Sequence, residues 1–365
     1  MYSVKDIDAV KALVIGTTIW GTGGGGDPEV GLKTLKDDLN ANRDLRIIDV
    51  KDISDDGLIV SPYFVGSIAP GVKANRKVVV SNPFGLAVEL IERELNRKIA
   101  ATVATELGGG NTSAALHVAS LLNIPLVDGD LMGRAGPELH QSTAHIFGAS
   151  MAPSMIVSET GNVVFIERYA HIDDYEALAR YVAIISGGHA AVVDTPLTKP
   201  LALQAVIKGT ISKSIAVGTA VTEANQKGID PIEAVRKTLD GWLIFKGVVE
   251  KHEWKNEKGF LFADASLNGR EKWHGHKFRS WIKNEHIIAW LDGKPVVMPP
   301  DLIIFLDQNG YGITNDKLRE ELEVSVIAAK APDVWRTERG LTFFGPKHFG
   351  FDYEYAPVEE LVISK

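Results

Sequence analysis

Apolar positions at helical spacing flank a run of glycines near the start of the chain. One apolar face recurs over residues 3–17 and predicts a helix. Asp27 followed by Pro28 is a typical N-cap and first-turn pair, so a second helix is expected to run to about residue 40. The glycines at 21–26 form the loop between these two helices.

Between residues 45 and 130 the hydrophobic pattern changes to short apolar runs. These runs cover 45–50, 58–65, 77–80, 99–105 and 124–127. Helical patterns at 84–96 and 112–122 separate some of them, and this alternation predicts βαβ units with a mostly parallel sheet. Two further runs, joined by a turn at 159–162, predict a hairpin. We assign residues 1–168 to this α/β domain.

The second half of the chain, residues 169–365, begins with helical patterns and then becomes β-rich. From 241 to about 306 apolar and polar residues alternate between glycine turns, one of them the hairpin turn Asp292-Gly293. Short strands at this spacing are typical of a small barrel or sandwich. We expect a β-barrel-like part at about 241–330, followed by an aromatic tail that returns towards the site.

Composition narrows the class of protein. The 365 residues include 39 Lys and Arg against 47 Asp and Glu, and this acidic balance argues against a nucleic-acid partner. There is no cysteine, so a metal would need His, Asp or Glu ligands. No apolar run is long enough to span a membrane and the N-terminus does not have the pattern of a signal peptide, so a cytoplasmic protein is expected.

The glycine loop is the strongest local signal for chemistry. Gly23, Gly24, Gly25 and Gly26 stand directly before a predicted helix N-terminus, where backbone N–H groups can hold an anion or a developing oxyanion. The alternative is a flexible turn between helices. The loop follows a helix and lacks the Lys-Ser/Thr of a phosphate loop, so no nucleotide cofactor is expected.

Two more loops follow predicted strands, at the strand ends where ligand sites form in open sheets. In the first, Glu106 precedes three glycines, of which Gly109 and the next residue but one, Asn111, would bind substrate. The alternative for this loop is a tight turn in which Asn111 or Thr112 caps the following helix. Ser67, Ser81 and Asn82 would line the same edge of the sheet.

The second of these loops carries Asp128 and Asp130, whose side chains face one way in extended backbone. Carboxylates this close need a cation, a proton or an arginine between them. We therefore expect either a metal, with His140 or His145 completing the site, or an ion pair with Arg134. Zinc, manganese and magnesium suit such donors. Four further histidines leave both interpretations open: His274 and His276 have a metal-ligand spacing but are more often a solvated face, His189 precedes a strand, and His348 lies in a tail that could fold back over the site.

Together these motifs resemble the S-methyl thiohydantoin desulfurase family, formerly a family of unknown function associated with hydantoinases. The motifs that carry the resemblance are 22–28, 106–111 and 127–138, with 283–288, 300–303 and 344–352 in the second half. The resemblance spans nearly the whole chain. It implies a three-layer α/β domain with a mostly parallel sheet plus a smaller β-barrel-like domain.

The resemblance also implies a hydrolase that acts on a small cyclic S-methyl thiohydantoin-like ring, with water attacking the carbon that bears sulfur and methanethiol leaving. Glu106 would be the general base, and a divalent metal such as zinc or manganese on Asp128, Asp130 and His145 would activate water. The glycine N–H groups would hold negative charge, Arg134 would clamp a substrate carboxylate, and Glu138 would contact substrate.

An alternative function is that of a non-catalytic accessory or ligand-binding subunit of a hydantoinase-like system. In either case the expected partner is a small molecule, with neither nucleic acid nor membrane, and a homo-oligomer remains open. All these expectations require that the segments near 24, 106 and 130 meet in one polar hollow.

Overall fold

The computed structural model describes residues 1–66 and 77–363. Its helices are α1 (Ile7–Trp20), α2 (Pro28–Asn40), α3 (Pro83–Leu95), α4 (Asn111–Leu121), α5 (Thr143–Ile146), α6 (Ile172–Ile185), α7 (Lys199–Ala205), α8 (Thr210–Lys227), α9 (Pro231–Thr238), α10 (Glu338–Phe344) and α11 (Val358–Ile363). Its strands are β1 (Tyr2–Ser3), β2 (Arg46–Ile48), β3 (Leu58–Gly66), β4 (Ile99–Ala104), β5 (Leu126–Asp130), β6 (Ser154–Val157), β7 (Val163–Ile166), β8 (His189–Thr198), β9 (Ile207–Lys208), β10 (Trp242–Glu257), β11 (Phe260–Gly269), β12 (Lys277–Lys283), β13 (Glu285–Leu291), β14 (Lys294–Val297), β15 (Leu302–Leu306) and β16 (Glu323–Ala329).

The first sheet has the order β1-β2-β5-β4-β3-β8-β6-β7, with β9 paired to β5. The four central strands β2, β5, β4 and β3 are parallel, and the strands on either side of them are antiparallel. Loops 105–110 and 131–138 therefore leave β4 and β5 at the same edge of the sheet. This is the edge at which open parallel sheets form ligand sites.

Successive apolar side chains of the strands point to opposite faces of the first sheet, so both faces are buried and both are covered by helices. Leu58 and Val60 of β3 pack with helices α3 and α4, whereas Ile59 packs with α7 on the other face. Helix α6 covers the same face as α7, nearer to β8. The result is a three-layer α/β arrangement.

The second sheet is antiparallel, with the order β14-β13-β12-β11-β10-β16-β15, and it curls on itself. The His286 ring of β13 stacks on the Phe305 ring of β15 with centroids 4.0 Å apart, although these strands are not paired in the sheet. Its concave side buries an apolar core, and the other side of β15 and β16 packs on α1, α8 and α9. This half-barrel confirms the predicted fold class of an α/β domain plus a smaller barrel-like part.

Several element boundaries differ from those predicted. Helix α1 begins at Ile7, because the Asp6 side chain caps it by accepting from two backbone N–H groups. Residues 77–80, predicted as a strand, have no regular structure, and Val78 and Val79 are exposed there. Strand β8, which lies beyond residue 168, joins the first sheet next to β3. No helix in the described part of the chain is both long and apolar enough to span a bilayer.

Candidate active site

A cavity of about 660 Å³ opens at the carboxyl edge of the first sheet, where that sheet meets the second. Its wall combines the glycine loop, the loops after β4 and β5, the end of β3, and the turn between β12 and β13. The predicted site residues in this wall are Gly23, Gly24, Gly25, Gly26, Glu106, Asn111 and Glu138. The segments near 24 and 106 therefore do meet in one hollow. Ser81, Asn82 and His189 also line it, whereas Ser67 lies outside the described residues.

The glycine loop packs directly against the loop after β4. The Gly25 carbonyl accepts hydrogen bonds from the N–H groups of Gly110, at 3.1 Å, and Asn111, at 3.0 Å. A Cβ on Gly25 would lie 2.4 Å from the Gly108 Cα, and the Gly25 φ of +80° also favours glycine. The glycines are therefore needed for loop contact as well as for an approach to a ligand. Gly109 lies behind this contact against Pro28, outside the cavity wall.

Glu106 is a buried carboxyl at the centre of the wall. Its Oε1 accepts from the Asn111 amide at 2.7 Å, and its Oε2 accepts from the Gly136 N–H at 3.1 Å. Burial raises the pKa of Glu106 to about 7, although both hydrogen bonds and two nearby arginines act in the opposite direction. The side chain is thus oriented by donors on both oxygens and can change protonation near neutral pH.

A second carboxyl, Glu285, enters the cavity from the first position of β13. A Cβ on Gly24 would lie 1.8 Å from Glu285 Oε1, so only glycine allows this approach. Its Oε2 is buried and has no hydrogen-bond partner among the described residues. Burial, together with the neighbouring Glu106 carboxyl, raises the pKa of Glu285 well above its usual range. This shift favours the protonated form of Glu285.

Glu138 lines the cavity and belongs to a polar cluster with the returning tail. His348 Nε2 lies 2.5 Å from its Oε2, and Lys283 contacts its Oε1. Burial by itself would raise the pKa of Glu138, but His348 and Lys283 outweigh this effect and hold it at about 2. His140 Nε2 is 3.6 Å from the same Oε2, and burial lowers the pKa of His140.

Arg134 is fully buried, and all its donors already have partners. It donates to Thr22 Oγ1 and to four backbone carbonyls, those of Ala135, His286, Pro300 and Asp301, at 2.8–3.1 Å. It does not line the cavity. The predicted clamp on a substrate carboxylate therefore has no free N–H group, and the predicted ion pair with an aspartate is not formed.

The two aspartates of the third loop do face one way, towards the N-terminus of helix α8. Asp128 accepts from the Ser212 N–H at 2.9 Å and from its hydroxyl, and Asp130 accepts from Thr210 Oγ1 at 2.8 Å. Asp130 also accepts from the N–H groups of Met132 and Gly133, and burial raises its pKa to about 7. The positive helix end thus occupies the place expected for a cation.

His145 does not join these aspartates in a group that could hold an ion. Its ring packs against Phe343, with centroids 5.1 Å apart. Over residues 1–66 and 77–363, Glu138, His140 and His348 form the group of His, Asp and Glu close enough to share a metal. His274 and His276 are exposed at a turn of the second sheet, away from the cavity.

Sequence reasoning missed two features of the wall. Glu285 could have been noticed as a charged residue at the start of an apolar strand. The other is His117 on α4, whose Nδ1 lies 2.8 Å from an oxygen of the buried Asp38 carboxylate on α2. Sequence spacing predicts neither the approach of Glu285 to Gly24 nor the contact of His117 with Asp38, because each joins segments that are far apart in the chain.

Comparisons with known proteins agree with this architecture. Residues 8–168 match the family described as S-Me-THD-like, N-terminal domain, and residues 170–358 match S-Me-THD-like, C-terminal domain. The X-ray crystal structure of a protein from Chromobacterium violaceum has the same fold, with a TM-score of 0.76, 21% sequence identity, and coverage of 98% of this chain and 100% of the other. No curated protein matches the chain.

Proposed function

The chain belongs to the S-Me-THD-like family, and we propose that it is a hydrolase that cleaves the bond between ring carbon and sulfur in S-methyl thiohydantoin-like rings and releases methanethiol. The observation that carries the proposal is the pair of buried carboxyls, Glu106 and Glu285, in one cavity. Two neighbouring titratable groups whose environments differ are the usual arrangement of a general acid and a general base.

The hydrogen bonds support a division of roles between the two carboxyls. Both Glu106 oxygens accept hydrogen bonds, which favours its carboxylate form as the base. The raised pKa of Glu285 favours its protonated form, and its Oε2 has no hydrogen-bond partner among the described residues, so it could donate to a substrate atom. These observations support Glu106 as the base that activates water and Glu285 as the acid.

In the first step, water attacks the ring carbon that carries sulfur, and a carbon–oxygen bond forms. Glu106 takes one proton from this water, and Glu285 gives its proton to the ring nitrogen of the former C=N bond. In the second step the carbon–sulfur bond breaks and the carbonyl forms. Glu106 then protonates the departing thiolate, and the hydroxyl proton returns to Glu285, so both carboxyls are restored and the products are hydantoin and methanethiol.

The glycine loop and helix α4 would supply the charge stabilisation that a tetrahedral intermediate needs. The loop lines the cavity beside Glu285, and the N-terminus of α4 begins at Asn111 beside Glu106. The Gly110 and Asn111 N–H groups at the start of α4 already donate to the Gly25 carbonyl, so this helix would act through its positive end, and the hydrogen-bond donors would come from the glycine loop, which the same packing holds in place.

Release of methanethiol from S-methyl thiohydantoins, followed with a thiol reagent, tests the proposal. We expect turnover by the purified chain and a loss of about 100-fold or more in kcat for Glu106→Gln and for Glu285→Gln, since general acid–base catalysis contributes roughly 10²–10⁴. Glu253→Gln, on the exposed part of β10, is the matched control and should keep full activity.

A chain that binds the ring without turning it over would instead be the accessory or ligand-binding subunit. Full activity in Glu106→Gln would remove this carboxyl from the mechanism. Circular dichroism of each variant separates a loss of chemistry from a loss of fold.

A further inference from the structure

We propose that Glu138, His140 and His348 form a binding site for a divalent metal ion, zinc in the first instance, at the wall of the cavity. The three side chains come from two remote parts of the chain, the loop after β5 and the tail after α10. Their nitrogen and oxygen ligand atoms all lie within 4.8 Å of one another.

The distances are close to those of a tetrahedral zinc site. Zn–N and Zn–O bonds of about 2.0–2.2 Å place neighbouring ligand atoms roughly 3.3–3.5 Å apart. His140 Nε2 lies 3.6 Å from Glu138 Oε2, which fits directly. His348 Nε2 lies 2.5 Å from the same oxygen, so a small rotation of this partly exposed ring would admit the ion. Two histidines and one carboxylate would leave the fourth position for water, as in catalytic zinc sites.

The surroundings of the cluster resemble the supporting groups of a metal site. Glu138 would bind through Oε2, and its Oε1 already has a partner in Lys283, which fixes the carboxylate. The buried Nδ1 of His140 has no hydrogen-bond partner among the described residues. A carboxylate oxygen of Asp173 lies 3.9 Å from this atom. A metal on Nε2 would set the tautomer that directs the Nδ1 proton towards Asp173.

The metal site goes beyond the proposed function, because no step of that reaction uses it. Metal binding can therefore be measured without substrate. After treatment with a chelator, we expect the chain to take up one equivalent of Zn²⁺, measured by elemental analysis and by competition with a chromophoric chelator. Glu138→Gln, His140→Ala and His348→Ala should each weaken the affinity at least tenfold.

His145→Ala is the matched control, since this histidine lies in the same segment but outside the cluster. It should retain the zinc affinity of the parent chain. Zinc should also raise the unfolding temperature of the parent and of His145→Ala, because a ligand of the folded state stabilises it. His348→Gln should lose this increase.

Three results would overturn the site: no stoichiometric uptake, equal affinity in all the variants, or loss of zinc only in His145→Ala. In those cases the contacts of Glu138 with His348 and Lys283 hold the tail against the cavity wall without an ion. The assay of Glu106→Gln is separate, so failure of the metal site and failure of the desulfurase function give different results.

Discussion

At the scale of single residues, the chemistry depends on how Glu106 is held. A buried carboxyl with no donors would simply stay protonated, whereas a fully hydrogen-bonded carboxylate in water would ionise far below neutral pH. Glu106 lies between these cases, because burial is opposed by the Asn111 amide and the Gly136 N–H. This balance brings its pKa to about 7, the range in which a general base is most effective.

A pH profile follows from this pKa. If Glu106 is the base, its ionised form is active, so kcat/KM should fall about tenfold per pH unit below 7. Above pH 7 the rate should stay level while Glu285 remains protonated, since the pKa of Glu285 is well above its usual range. Initial rates between pH 5 and 8, in buffers that leave the fold intact, measure this. A rate that rises as the pH falls from 7 to 5 would make Glu106 the acid and reverse the two roles.

Glu106 could be predicted from the sequence and Glu285 could not, for a physical reason. Glu106 directly follows a strand of a parallel sheet, and the ends of such strands form sites by a general rule. Glu285 reaches the cavity only because the second sheet curls and brings the start of β13 against Gly24. No local pattern encodes that approach between two sheets.

At the scale of secondary-structure elements, α8 explains the paired aspartates. The carboxylates lie two residues apart on β5 and need a positive partner, and the N-terminus of α8 supplies one. The helix begins after Gly209 and so has no capping side chain of its own. Asp128 acts as the cap from a neighbouring strand by accepting from the N–H of Ser212. The sequence indicates that these carboxylates need a cation, a proton or an arginine, but α8 starts 80 residues after Asp130, so spacing does not reveal this helix as their partner.

Removal of this cap should cost stability. Asp128→Ala leaves the Ser212 N–H without its carboxylate, and caps of this kind contribute about 0.5–2 kcal/mol. We expect a decrease of about 1 kcal/mol in the free energy of unfolding, measured by urea denaturation. Ser212→Ala is the matched control, because it removes the hydroxyl but keeps the N–H donor, and it should lose less. An unchanged midpoint in Asp128→Ala would mean that water replaces the carboxylate at no cost.

At the scale of the whole molecule, the site exists only where the two sheets meet. Glu106 and the glycine loop belong to the first half of the chain, whereas Glu285, Lys283 and His348 belong to the second. Arg134 holds the halves together from the inside, since three of its five acceptors, the carbonyls of His286, Pro300 and Asp301, are in the second half. The fold class of each half follows from its hydrophobic pattern, but this junction does not, because a buried arginine is indistinguishable in sequence from one on the surface.

Arg134→Lys tests this junction. Lysine keeps the charge, but its single ammonium cannot reach carbonyls on both sides as the planar guanidinium does. Buried carbonyls then lose their donors, and hydrogen bonds to charged groups contribute about 1.5–3 kcal/mol each, so we expect the free energy of unfolding to fall by about 3 kcal/mol or more. Tryptophan fluorescence in urea measures this loss, and methanethiol release should fall with it, because Glu285 and Glu106 would no longer be held together.

Arg279→Lys is the control: this arginine is half-exposed and pairs with Asp264 at 2.6 Å, and surface pairs contribute only about 0–1 kcal/mol. Equal unfolding midpoints for the two variants would show that the sheets are held by their apolar contacts alone and that Arg134 is dispensable to the junction.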